Sequence, residues 1–201
     1  YRSAWLKANL LPEFMAGVLT HDPGMYPRRL ILDDARQFGV AILPLDINAS
    51  ARDYRVEVIR EDEALALLGV HRSMELGGRG RLPRGWRWDG DRLVPSAGFD
   101  KGAATPGWRY GIRLALQDIE RIDDHMIDSI LAGRPFTSIE DLRLRTRLSQ
   151  PVVESLAHSG ALDAIGGVGL VVGDGGRAKT RRDLLLEVGE VALLLLLLLL
   201  L

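Results

Sequence analysis

The residues able to do chemistry are thinly spread in this chain. Its four histidines, His21, His71, His125 and His158, lie far apart, and no two have the spacing of metal ligands. Each reads as a lone surface or core histidine. Cysteine is absent, which removes disulfides and thiolate metal sites and fits a reducing compartment. Two of the chain's acidic pairs are weighed as metal or acid–base candidates. Asp89 and Asp91 flank Gly90 in "WRWDGDRLV", a spacing that suits two carboxylates on one strand face. Asp89-Gly90 also suits a two-residue hairpin turn, and that is the reading adopted. Asp33 and Asp34 fall in a helical pattern with Arg29 and Arg36 within one turn, so they read as ion-pairing surface residues. No catalytic and no metal-ligating residue is assigned.

The elements that would position these groups are mostly helical. Residues 4–9 predict a short helix carrying Trp5 and Lys7, with Trp5 read as core rather than as a platform for bases. Pro12 suits the first turn of a second helix, whose Phe14, Met15, Val18 and Leu19 share a face. "HDPG" ends it. Pro27 opens a third, where Leu30, Ile31, Ala35 and Phe38 recur at helical spacing and Gly39 follows the C-cap. "VAILP" predicts an apolar strand stopped by Pro44, and Tyr54 to Val58 alternates as a half-buried strand. Residues 72–109 are rich in Gly, Arg and Pro without a helical period, so they read as a linker or insertion holding one small hairpin. Six of its arginines, Arg72, Arg79, Arg81, Arg84, Arg87 and Arg92, interleaved with Trp86 and Trp88, also fit single-strand stacking, but the linker reading is preferred.

Beyond the insertion, "YGIRLAL" predicts a strand. A helix striped by Met126, Ile127, Ile130 and Leu131 follows, with Asp123 as its N-cap. Thr137 with Glu140 forms an expected capping box. Ser149 caps the next helix, Pro151 sits in its first turn, and Gly160 ends it. A glycine-rich loop, 166–176, leads to a helix with a basic start. The final eleven residues, Val191, Ala192 and nine leucines, are too few for a span of about 20 residues. No function is given to that tail, and no membrane partner is expected. The fold class expected is α+β, mainly α, with one short strand pair. The segments expected are 1–60, 61–109, 110–166 and 167–201.

The order and spacing of several stretches carry a resemblance. "YRSAWLKANLLPEFMAGVL" followed by "LILDDARQFGVAILPLDINAS" resembles the fingers region of the bacterial C-family DNA polymerase, the α subunit of DNA polymerase III. The match is closer to its error-prone actinobacterial form. "GIRLAL", "GRPFTSIEDLRLR" and "VVESLAHSGALD" resemble the helix-hairpin-helix segment that comes next. The resemblance spares only residues 72–109 and the leucine tail. It implies a cytoplasmic fragment of a DNA-directed DNA polymerase, a nucleotidyltransferase of replication or error-prone repair. It implies that the palm carboxylates and the magnesium they hold precede Tyr1, so that this fragment has no cofactor and is inactive alone. The implied partners are DNA, the remaining polymerase domains and, by resemblance only, the sliding clamp.

In such a hairpin, backbone N–H groups at the turn and the next helix N-terminus approach a phosphate. The equivalent turn here falls at Arg121-Ile122-Asp123-Asp124 and has no glycine. Its two carboxylates would repel phosphate, so the hairpin is expected to keep its packing role with a weakened DNA contact. Net charge is −1, so any attraction to DNA must be local. Lys7, Arg28, Arg29, Arg121 and Arg134 are the candidate backbone contacts. The clusters Arg143, Arg145, Arg147 and Arg177, Lys179, Arg181, Arg182 read first as solvated charge. Two other readings stay open: a stand-alone, non-catalytic DNA-binding or adaptor module, and a decayed open reading frame.

Overall fold

Three of the apolar patterns meet in one sheet in the computed structural model, which describes residues 2–21, 24–59, 86–89, 92–95, 110–169 and 178–199. The chain divides into two units, Tyr1–Leu43 with Tyr54–Leu114, and Pro44–Asp53 with Ala115–Leu201. The architecture is α+β and mainly α, as expected, with seven helices among the described residues.

In the first unit, helices α1 (Arg2–Asn9), α2 (Leu11–His21) and α3 (Arg28–Gln37) precede strands β1 (Ala41–Leu43) and β2 (Arg55–Val58). Strand β5 (Tyr110–Arg113) lies between them, parallel to β1 and antiparallel to β2. Each of these three strands falls on a stretch whose pattern predicted one, and together they make one sheet. Gly111 faces Ala41 across it, where a Cβ would come within 2.8 Å of the Leu43 side chain; glycine permits that close approach. Glu57 and Arg113, on the paired strands, form a bidentate ion pair at 2.7 Å. Helix α2 packs on this sheet through buried Leu11, Met15 and Leu19. Helix α3 contributes buried Ala35 and ends at Gly39, whose φ of +83° is the left-handed conformation expected after a C-cap.

One apolar expectation changes here. Helix α1 buries none of its residues, and Trp5 is 51% exposed rather than core. Leu30 is also exposed. A helical stripe shows which side chains can share a face; burial requires a second surface, and none of the described residues supplies one to those two. Strands β3 (Trp86–Asp89) and β4 (Arg92–Pro95) confirm a hairpin inside the insertion, with Asp89 opposite Arg92. Asp89 is therefore a paired strand residue and not the turn residue expected. Residues 90 and 91, the rest of the insertion, His71 and Arg177 lie outside the described residues.

The second unit is helical. A short 3-10 turn (Leu116–Asp118) leads to α4 (Asp124–Gly133), α5 (Ile139–Thr146), α6 (Gln150–Ser159) and α7 (Arg181–Leu199). Ile127, Ile130, Ile139, Leu142, Leu156, Leu184 and Val188 are buried in its core. The capping box of α5 is set one residue later than expected. Ser138 Oγ accepts from the Asp141 N–H, and the Asp141 carboxylate accepts from the Thr137 N–H. The shift puts Ile139 inward and fully buried. Asp123 and Gly160 cap as expected, the latter with φ +86°. The leucines up to 199 continue α7, and no helix among the described residues is long and apolar enough to cross a membrane.

Candidate nucleic-acid interface

The loop 44–53 builds the platform for the hairpins of the second unit. Asp46 Oδ1 accepts from the N–H groups of Asn48 and Ala49, a local turn that asparagine and aspartate favour. Asn48 then reads the backbone of Phe136 in both directions at 2.8 Å, donating to its carbonyl and accepting from its N–H. The Ala51 carbonyl accepts from the Leu116 N–H at 2.9 Å, and the Ile47 N–H donates to the Ala161 carbonyl at 2.8 Å. The "LPLDINAS" stretch is thus a clamp that fixes where the helices begin and end.

The first hairpin consists of the 3-10 turn, residues 119–123 and α4. Arg121 sits at its turn with φ +65°, in the region that normally favours glycine. Asp123 Oδ1 accepts from the Met126 N–H at 2.8 Å and occupies the helix N-terminus as a resident anion. Asp124 pairs with Arg52, which also reaches Asp128 at 2.5 Å. Those contacts, Asp128 foremost, raise the Arg52 guanidinium above its ordinary pKa. The carboxylates expected to repel phosphate are therefore engaged, one as a cap and one in an ion pair.

The second hairpin consists of α5, residues 147–149 and α6. Arg147 closes α5 with φ +52° and donates its backbone N–H to the Arg143 carbonyl at 3.2 Å. Its side chain is exposed. Ser149 stands at the N-cap without a side-chain cap bond, and the first turn of α6 has no acidic residue. Arg121 and Arg147 are the two non-glycine residues with positive φ among those described. Both hairpin turns thus carry an arginine in a backbone region that costs an ordinary residue about 1–2 kcal/mol.

The other cations divide by engagement. Lys7 pairs with Asp34 at 3.0 Å and lies 4.9 Å from the centre of the Phe38 ring, so it ties α1 to α3. Asp33 takes Arg36 at 2.8 Å and Arg29 at 3.9 Å, while the Arg29 side chain is 89% exposed. Arg28 is half-buried in the first turn of α3. Arg134 is half-buried and donates to the Ser50 carbonyl. Within the arginine cluster of α5, Arg143 reaches Gln150 and the Val188 carbonyl, and its burial pulls its pKa down. Arg145 caps the carbonyls of Gly133 and Pro135. Lys179 pairs with Glu187. Arg181 pairs with Asp163 at 2.7 Å, a hydrogen bond that raises its pKa. Within that cluster Arg147 is exposed, and no partner for its side chain is found among the described residues. Arg52, absent from the sequence candidates, had no local signal because its partners lie more than seventy positions away. Among the described residues no three or more His, Asp or Glu side chains converge as metal ligands would.

The comparisons with known proteins agree with this geometry. The family model for the helix-hairpin-helix motif matches residues 39–168. The error-prone DNA polymerase of Methylococcus capsulatus is 29% identical over 168 residues, covering 83% of this chain and 14% of that protein. That of Corynebacterium jeikeium is 30% identical over 174 residues, covering 83% and 13%. Error-prone DNA polymerase 1 of Rhizobium meliloti is 28% identical over 179 residues, with 83% and 13% covered. The chain spans about an eighth of the length of these relatives. With both hairpins in place and the match running through more than half of its residues, the chain belongs to the helix-hairpin-helix family, in the form shared with error-prone DNA polymerases.

Proposed function

We propose that this chain is the part of an error-prone DNA polymerase that grips DNA by its phosphate backbone. The observation that carries this reading is the pair of hairpin turns, each with an exposed arginine, Arg121 and Arg147, held at positive φ. Strained backbone of this kind persists where the surrounding structure over-determines it and tends to mark functional positions. A guanidinium at such a turn can meet a phosphate oxygen while the adjacent N–H groups approach the same strand. Nothing in such a contact reads sequence, as suits an enzyme that must move along any template.

The first hairpin contributes less than the second. Its helix N-terminus already holds Asp123, whereas α6 begins without a carboxylate. Nucleotidyl transfer and its magnesium belong, in this reading, to the remainder of the polymerase. The remaining polymerase domains are this chain's natural partners, and a cytoplasmic site of action follows from the same reading.

The test is a titration of the chain with short duplex DNA at several salt concentrations. Affinity should fall linearly on a log–log plot, and Arg147→Gln should flatten the slope by about one. Binding that responds neither to salt nor to Arg147→Gln and Arg121→Gln would overturn the proposal.

A further inference from the structure

The last helix of the second unit, α7, has a face that packing within the unit does not use. Leu184 and Val188 are fully buried and mark the side that packs on α5 and α6. On the opposite side Leu186 is 64% exposed. Gly189, one turn on, is exposed too, with nothing within 4 Å of where a Cβ would sit. The same spacing continued along α7 falls on positions 193 and 196, both leucine. Steps of three, four and three residues are the repeat of a coiled-coil seam, and positions 184 and 188 lie on the back of it. A glycine in that row lets a facing backbone come close.

We infer that this row docks α7 of a second copy of the chain, the two helices lying parallel and in register. The row is apolar and the same on each copy, so it is self-complementary about a twofold axis. Exposed Glu190 borders the row, where a parallel partner presents position 185, a leucine, so no like charges meet. A lipid surface fits less well. Glu187 and Glu190 stand just before the leucine run and no Lys or Arg follows Arg182, the reverse of the basic flank that anionic headgroups attract. Unbroken leucine also has no polar face to leave in water. From Leu186 to Leu196 the seam is about 15 Å long, too short to bury the roughly 1,600 Å² of a standard interface. The pair therefore forms and parts with concentration. The inference goes beyond the DNA-binding reading and does not depend on it.

The experiment is sedimentation equilibrium of the full 201-residue chain. Its mass should rise with concentration from 22.2 kDa toward twice that value. Leu186→Glu should weaken association at least about tenfold, because the seam would then bury an unpaired carboxylate. Leu186→Met, which keeps the volume, should associate nearly as well as wild type. Leu144→Glu, at an exposed leucine of α5 outside the row, serves as the control and should leave the mass profile unchanged. The chain has no cysteine, so Leu186→Cys brings in a single thiol. Mild oxidation should link two copies through it, and should not do so with Leu144→Cys. A mass of 22.2 kDa at every concentration would overturn the inference. Association that Leu186→Glu leaves intact, or that Leu144→Glu weakens equally, would do the same. Cosedimentation of a monomeric chain with phosphatidylglycerol vesicles would make a lipid surface the occupant and sink the second copy. None of these outcomes bears on the hairpin reading.

Discussion

The two hairpins of the second unit bring an arginine to their turns in the same left-handed backbone region, with φ of +65° at Arg121 and +52° at Arg147. Their surroundings differ. In the first, Asp123 fills the helix N-terminus, and Asp124 and Asp128 hold Arg52. In the second, Ser149 makes no cap bond and no acidic residue stands in the first turn. The first spends its polar groups on folding; the second leaves them available. The difference teaches that a shared backbone motif does not fix a shared role, because the occupant of the helix N-terminus decides whether an external anion is welcome.

The widest-ranging way to challenge that comparison is to ask whether the hairpins stand or fall together. Ile130→Ala in α4 and Leu156→Ala in α6 each remove a fully buried side chain and should each cost about 2–5 kcal/mol. Chemical denaturation followed by hydrogen exchange should show both hairpins losing protection in one transition. Separate transitions would mean that they are independent devices.

A smaller effect separates cap from charge. Asp123→Ala should cost about 1 kcal/mol by removing the cap. Asp123→Asn should stay within about 0.5 kcal/mol, since asparagine caps equally well, and should raise duplex affinity. If thermal melts agree but affinity is flat, the resident carboxylate is not what holds the first hairpin back.

Next come the turns. Arg121→Gly and Arg147→Gly relieve left-handed strain but give the unfolded chain more freedom, so each should raise stability by at most about 1 kcal/mol. The duplex readout should diverge: Arg147→Gly loses affinity by more than Arg121→Gly does. Equal losses would erase the distinction between the hairpins.

The smallest expected change is itself diagnostic. Ser149→Ala should shift stability by less than about 0.5 kcal/mol, because the hydroxyl makes no cap bond, whereas Ser138→Ala should cost about 1 kcal/mol. A large loss at Ser149 would show that its cap is engaged after all.

Local chemistry made much of this molecule legible from its residues alone. Pro27, Gly39, Asp123, Pro151 and Gly160 punctuate the chain through their own backbone preferences, so helix ends could be placed without neighbours. Alternation announced β2 and β5, and the order of short motifs pointed to the polymerase family. The one-residue slip at Ser138 arose because Thr137 and Ser138 are both competent caps, and the burial of Ile139 chose between them.

What tertiary structure decided was engagement. Sequence names a cation but not its partner, because ion pairs such as Arg52 with Asp124 or Lys7 with Asp34 join residues far apart in the chain. It gives a helix an apolar stripe but not the surface that covers it, so Trp5, read as core, lies exposed, and so does Leu30 of the α3 stripe. Backbone preference acts within a few bonds and is written in the residues themselves. Burial and charge pairing are set by distances through space, and only the folded chain determines those.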